Sequence, residues 1–170
     1  ILEGEEEYTD CCFVEDQALI IDNNVFFPIT GAPSRRGEQK SIVEIISPYM
    51  KSIHWCQEPG KIDGGDIVRV GDTFYIGQSS RSNNYGTVQF QDFLTKLGYE
   101  SHIIKVPGYS LHLTTLCSSP TSNLLFVPES SVIIYMVIYY MKLSQPWYKY
   151  VKNGEKSIEL GNVTPTRDLT

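Results

Sequence analysis

The stretch IDGGDIVRVGDTFYIGQSSRSN, residues 62–83, predicts a β-hairpin that leads into a serine-rich loop. Residues 67–70 and 73–76 are rich in β-branched and aromatic side chains, which favour strands. The pair Gly71-Asp72 between them is a tight-turn signal, because glycine readily takes the positive φ angle that a two-residue hairpin needs. An antiparallel pair of strands is therefore expected here.

A helix is expected directly after this hairpin. Residues 83–97 carry apolar side chains at helical spacing, and Gly98 is typical of the position that follows a helix C-terminus. Residues 101–106 then form another run of strand-forming side chains. The complete unit is strand, strand, helix, strand.

The same order of elements occurs earlier in the chain. Residues 18–21 and 25–29 are strand candidates around an Asp-Asn-Asn turn, and residues 35–52 have a helical rhythm of apolar side chains. Pro48 interrupts that rhythm and is expected to end or kink the helix. Residues 53–56 are a short strand candidate that completes this first unit.

A third unit begins after the second. Residues 111–116 and 123–127 are predicted strands on either side of a Ser-Ser-Pro turn. The chain therefore predicts an α/β fold in which a ββαβ unit occurs twice and then starts again.

Polar residues follow the same period. Asp16, Asp63 and His112 are 47 and 49 positions apart, and each stands at the opening of a predicted hairpin. Arg35 and Arg81 are 46 positions apart, each between a hairpin and the next helix. If the units pack around a common axis, these side chains would line one pocket. The alternative is that strand openings and helix starts attract such residues as caps and turn formers.

Such a pocket has a defined chemical preference. Inward-facing carboxylates favour a planar guanidinium, and arginines at the rim favour a carboxylate on the same ligand. The ligand that fits is arginine or a derivative, and a histidine beside the guanidinium carbon suits general acid–base chemistry. Simpler explanations stay open at this stage: Asp63 and Asp66 as turn formers, His112 as a strand residue that faces solvent or is half-buried, and Arg35 with Arg36 as an exposed loop pair.

Composition argues against several other classes of protein. The chain has 170 residues and a net charge of −6 without a basic run, so nucleic-acid binding is not expected. Its longest apolar run, residues 132–141, is too short for a membrane span, which needs about 20 residues. Four cysteines without a CxxC pair indicate reduced thiols in a cytoplasmic protein, and they predict no zinc site.

Five short motifs resemble one enzyme family. They are DCCFVED at 10–16, GAPSRR at 31–36, IDGGDIV at 62–68, GQSSRSN at 77–83 and LHLTTLCS at 111–118. In their order and spacing they resemble the dimethylarginine dimethylaminohydrolase family over about three-quarters of the chain. Five ordered motifs are far more specific than any one of them.

The resemblance implies a pentein fold, an α/β propeller of ββαβ units around a pseudo-fivefold axis, of which this chain would hold about two and a half units. It implies hydrolysis of N-methylated L-arginines to L-citrulline and a methylamine through a thiouronium intermediate on cysteine. Regulation of nitric oxide synthesis is implied with that activity. No cofactor and no metal are implied. The expected partners are a small-molecule substrate and a second copy of the chain in a homodimer.

Site residues follow from matching the motifs position by position. His112 matches the general acid–base histidine, and Asp63 matches a catalytic carboxylate that holds the guanidinium together with Asp16. The other substrate-binding residues that the resemblance implies are Glu15 in the guanidinium pocket and Asp10, Arg35 and Arg81 around the amino-acid head.

The family's nucleophilic cysteine has no counterpart in this chain. Cys117 matches a family cysteine that is not the nucleophile, and no cysteine follows it. We therefore expect a partial pentein domain in residues 1–128, a divergent tail in residues 129–170, and little or no turnover by the chain itself. Two alternatives stay open: a truncated isoform that only binds ligand, and an enzyme similar to arginine deiminase.

Overall fold

The computed structural model of the protein describes residues 6–127, 149–150 and 158–159. Small sheets follow one another along residues 6–127, and each three-stranded sheet combines one antiparallel hairpin with one parallel strand. The mixed α/β fold predicted from the sequence is confirmed. In the described part of the chain, no helix combines the length and the apolar character that a membrane span requires.

The first sheet contains strands β1 (Leu19–Ile21), β2 (Asn24–Phe27) and β3 (Ser52–Trp55). β1 and β2 form the predicted hairpin, and Asp22 at their turn takes a positive φ of 54°. Helix α1 (Gln39–Ile46) leads to β3, which pairs parallel to β2. The helix is shorter than predicted, because the proline-containing segments before and after it form 3₁₀ turns.

The second unit follows its prediction closely. Strands β4 (Ile67–Val70) and β5 (Thr73–Gln78) form the hairpin, with Gly71 at a φ of 60° in its turn. Helix α2 (Asn84–Lys96) begins where the Asn83 side chain accepts the Gly86 amide at 2.9 Å. Strand β6 (Glu100–Lys105) then pairs parallel to β5.

The third unit differs from its prediction. Residues 111–116 are not a strand: Leu113–Thr115 form a 3₁₀ turn, and the hairpin strands are β7 (Ser118–Thr121) and β8 (Leu124–Phe126). The Ser-Ser-Pro segment that was predicted to form a turn is therefore part of strand β7. The reason is a long-range bond, because the Leu113 amide donates to the Asp66 carboxylate at 2.9 Å and not to a neighbouring strand.

Most of the expected divergent tail, residues 129–170, lies outside the described residues. Two short strands are described within it, β9 (Lys149–Tyr150) and β10 (Ile158–Glu159). They pair antiparallel with each other.

Strand β5 lies at the centre of the core because both of its faces are buried. Side chains from alternate positions of β5 therefore enter two different clusters. Strand β5 therefore packs both against the aromatic cluster beneath α2 and against the cluster that includes residues of the third unit. The first cluster holds Phe74 with Phe26, Phe90 and Phe93, and the second holds Tyr75 with Ile104 and Leu113.

Phe90→Ala is expected to lower the free energy of unfolding by about 3–5 kcal/mol, because it removes a large buried ring and leaves a cavity. Phe90 is fully buried, and its ring centroid lies 5.4 Å from that of Phe26 and 5.8 Å from that of Phe93. Urea denaturation measures the change. Asp92→Ala on the exposed face of α2 is the matched control and should change stability by less than about 0.5 kcal/mol. Equal effects of the two substitutions would contradict this account of the core.

Candidate functional site

Three 3₁₀ turns bring the predicted acids and the histidine together. They are Val14–Asp16, Gly64–Asp66 and Leu113–Thr115, and the middle turn contacts both others. We call this contact region the seam. The backbone approach there is close, since a Cβ on Gly64 would overlap the Glu15 carbonyl oxygen, and one on Gly65 would lie 2.8 Å from the His112 ring. The two glycines of the DGGD motif are needed for this approach.

Carboxylates at the ends of two of these turns bind the backbone of the following turn. Asp16 Oδ1 accepts the Gly65 amide at 2.9 Å, and Asp66 Oδ1 accepts the Leu113 amide at 2.9 Å. Both carboxylates are buried. Each unit is therefore attached to the next by the same kind of hydrogen bond.

This pattern corrects the internal repeat inferred from the sequence. Asp16 and Asp66 are both the last residue of a 3₁₀ turn and are 50 positions apart, so they are the equivalent pair. Asp63 and His112 instead stand immediately before their turns. The pairing of Asp16 with Asp63 is therefore wrong, although the fold does bring both residues to the seam.

Asp63 is fully buried, and one of its oxygens has no hydrogen bond among the described residues. Its Oδ1 accepts the Gly31 amide at 2.6 Å, while Oδ2 lies 3.6 Å from Arg81 Nη1. Burial raises the pKa of Asp63, the Gly31 amide opposes that rise, and the charge of Asp16 adds to it. A buried oxygen of this kind favours a cationic hydrogen-bond donor as its partner.

His112 lies between the same acids. Its Nδ1 is 3.6 Å from Asp66 Oδ2, and its ring packs against Gly65. Asp66 raises the pKa of His112 above its ordinary value, burial lowers it, and the charges of Asp16 and Asp63 raise it further. The net effect is a raised pKa, which favours an imidazolium at the seam.

Arg35 lies in the interior and not at the rim, where the sequence-based pocket placed it. Its guanidinium donates to Asp16 Oδ2 at 2.5 Å, to the Glu38 oxygens at 3.2 and 3.0 Å, and to the carbonyls of Asp10 and Phe13 at 3.1 Å. Burial lowers the pKa of Arg35, but the hydrogen bonds to Glu38 and Asp16 together have a larger effect, so the net pKa is raised. A direct contact between Arg35 and a substrate stays a prediction.

The other predicted substrate-binding residues lie nearer to solvent. Arg81 is partly exposed, and its carbonyl packs so closely on Gly31 that a Cβ there would overlap it. Asp10 and Glu15 have exposed side chains on the segment that ends in Asp16. The seam therefore has a buried floor of ionisable side chains and an exposed polar edge.

No protein-family model matches the chain. The chain is 32% identical over 129 residues to the dimethylarginine dimethylaminohydrolase of Streptomyces coelicolor. It is 36% identical over 131 residues to that of Pseudomonas aeruginosa. The matches cover 75% and 76% of this chain but only 46% and 51% of the relatives, so the chain spans about half their length.

A solved structure of the Pseudomonas aeruginosa enzyme, a cysteine-to-serine mutant complexed with citrulline, matches with a TM-score of 0.70 at 31% identity. That match covers 84% of this chain and 51% of the other. Over about three-quarters of its length, the chain is therefore similar to dimethylarginine dimethylaminohydrolases in both sequence and fold. The N-terminal domain of a cyanobacterial arginine dihydrolase matches at a TM-score of 0.71 and 15% identity over 88% of this chain and 56% of that one, which shows a shared fold.

The sequence patterns did not identify several residues at the seam. Asp66 appeared only as a turn former, yet it contacts His112 and binds the Leu113 amide. Glu38, the buried partner of Arg35, carried no sequence signal. A signal for Asp66 did exist, since it follows Asp16 by 50 positions, close to the 48 or 49 positions between equivalent strands of the two units.

Two of the four cysteines in the chain, Cys56 and Cys117, are buried thiols. Burial raises the pKa of Cys117 to about 12, and its Sγ donates to the Leu113 carbonyl oxygen at 3.5 Å. Burial also raises the pKa of Cys56. Thiolates are the reactive form of cysteine, so neither side chain is suited to be a nucleophile. Within residues 6–127, no three His, Cys, Asp or Glu side chains group closely enough to hold a metal ion.

Arg35→Met is expected to lower the free energy of unfolding by about 3–5 kcal/mol, because it leaves Asp16 and Glu38 buried without their cation. The neighbouring Arg36 is exposed and lies 3.8 Å from Glu58, so Arg36→Met should cost less than about 1 kcal/mol. Thermal and urea unfolding of the two variants measure the difference. Similar stabilities of the two variants would show that the ion pairs of Arg35 with Asp16 and Glu38 do not stabilise the fold.

The stabilising effect of His112 is expected to depend on pH. Because its folded-state pKa lies above the ordinary value of 6.5, its contribution is fully present below pH 6.5 and is lost as pH rises through the folded-state value. The difference in unfolding free energy between the wild-type chain and His112→Gln should therefore shrink as pH rises. Urea denaturation at a series of pH values tests this, and a difference that is constant with pH would refute it.

Proposed function

We propose that this chain is the substrate-binding part of an amidinohydrolase that acts on N-methylated L-arginines and releases L-citrulline and a methylamine. The observation that carries the proposal is Asp63, a fully buried carboxylate whose Oδ2 accepts no hydrogen bond among the described residues. It stands beside a histidine of raised pKa. A guanidinium supplies planar N–H donors and a positive charge to such an oxygen.

Each residue at the seam has a role in this proposal. Asp63 binds the guanidinium and Asp16 adds negative charge, while His112 protonates the leaving amine and then activates water.

Glu15 contributes to the guanidinium pocket, and Asp10 and Arg81 bind the amino-acid head. Arg35, which is paired with Asp16 and Glu38, positions the segment that carries these acids.

The thiouronium chemistry of the family needs a cysteine nucleophile within reach of its acid–base partner. The buried thiols of Cys56 and Cys117 are poor thiolates, and Cys11 and Cys12 match other positions of the family. We therefore propose that the chain alone binds substrate without turning it over and uses no cofactor. Control of nitric oxide synthesis belongs to the complete enzyme.

The same proposal covers the architecture. Residues 1–128 form about two and a half of the five units of a pentein propeller, and residues 129–170 form a divergent tail. The chain is cytoplasmic and self-associates as a homodimer. Two three-stranded sheets of the same topology followed by a hairpin support the unit count.

Calorimetry with asymmetric dimethylarginine tests the binding function. Asp63→Asn should weaken binding by about tenfold to a hundredfold, because a hydrogen bond to a charged group contributes about 1.5–3 kcal/mol. Asp72→Asn, in the exposed turn between β4 and β5, is the control and should bind like the wild type. Equal affinities of Asp63→Asn and the wild type would reject the assigned pocket.

An assay of citrulline release from asymmetric dimethylarginine tests whether the chain turns this ligand over as well as binding it. No release by the purified chain is expected, because no thiol occupies the nucleophile position. Release that is lost in Asp63→Asn would mean that one of the four cysteines acts as the nucleophile. The proposal that the chain only binds would then be wrong.

A further inference from the structure

Asp66 is a fully buried carboxylate at the centre of the seam. Its Oδ1 accepts the Leu113 amide at 2.9 Å, and its Oδ2 accepts the hydroxyls of Ser79 and Ser82, each at 2.6 Å. The same Oδ2 lies 3.6 Å from His112 Nδ1. Among the described residues that nitrogen has no hydrogen-bond partner, and Asp66 is the acid that forms an ion-pair contact with it.

The two serines fix the direction of this carboxylate. Each hydroxyl has one proton, and both are given to Asp66. Their oxygens also act as acceptors: Ser82 Oγ accepts the Asp63 amide at 3.1 Å, and Ser79 Oγ accepts the Arg81 amide at 3.0 Å. Asp66 therefore accepts three hydrogen bonds, and the two serines that donate two of them are themselves bonded to the backbone, which fixes the direction of the carboxylate.

We propose that Asp66 is a positioning residue that holds the His112 imidazole with its proton on Nδ1 and leaves Nε2 as the atom that exchanges protons. The inference deepens the proposed function, on which the role of His112 rests. One carboxylate anchors both the ring of His112 and, through the Leu113 amide, the backbone beside it. The 3.6 Å contact must shorten by about 0.6 Å to become a hydrogen bond, and catalytic contacts of this kind tighten when substrate binds.

Other charged groups also face the histidine. Asp16 forms an ion pair with Arg35 at 2.5 Å, and Asp63 lies 3.6 Å from Arg81. Within residues 6–127, the ion pair that Asp66 makes is with His112 itself. Asp16 and Asp63 each have an arginine partner, and Asp66 is the acid that pairs with a protonated His112.

Nuclear magnetic resonance of the ¹⁵N-histidine-labelled chain tests this directly, with His112 assigned by its loss in His112→Gln. In the wild type the neutral ring should carry its proton on Nδ1, and the pKa of His112 should exceed 6.5. Asp66→Asn should lower that pKa. Asp63→Asn should keep the Nδ1–H tautomer, and Asp92→Asn, which is remote and exposed, should change neither property.

The measurement involves no substrate, so its outcome is separate from that of the ligand-binding test. A wild-type ring protonated at Nε2 would overturn the proposal, as would an unchanged His112 pKa in a folded Asp66→Asn variant. Should Asp66→Asn fail to fold, the tautomer of the wild-type chain decides alone. A merely structural role for Asp66 would lower stability without setting the tautomer or the pKa of His112.

Discussion

A carboxylate removed from water is costly unless hydrogen bonds replace its hydration, and Asp16 and Asp66 each obtain one of these bonds from the backbone of the following unit. Asp16 binds the Gly65 amide, and Asp66 binds the Leu113 amide. Each acid would lose this bond if the next unit were absent or displaced. The site between the units therefore depends on their order and spacing.

The same constraint gives the seam its electrostatic character. Asp16, Asp63, Asp66 and Glu38 are all buried there, against the single buried cation Arg35 and the partly exposed Arg81. Arg35 is shared between Asp16 and Glu38, so it neutralises only part of this charge. Burial, together with the charge of Asp16, raises the pKa of Asp63, and Asp66 together with the other acids raises the pKa of His112. The excess of acceptors suits a cationic ligand better than an anionic one.

Sequence patterns predicted the parts of this fold that depend on local interactions. The hairpins around Asp22 and Gly71 and helix α2 were confirmed, because turn residues, β-branched runs and an N-cap act over a few positions. The 3₁₀ turn at Leu113–Thr115 was missed, because a carboxylate 47 positions away holds its amide. Arg35 was expected at the rim for a similar reason, since its buried partners become neighbours only in the folded chain.

The unequal burial of these charges also determines where this site can change over evolutionary time. A mutation at Asp16 or Asp66 removes a hydrogen bond between two units, so any gain in ligand preference there is opposed by selection for a folded protein. Glu15 and Arg81 project from the same turns and loops but reach solvent, so their replacement leaves the inter-unit bonds intact. New substrate preferences are therefore accessible through the exposed edge, while the buried acids beneath it stay under constraint from folding.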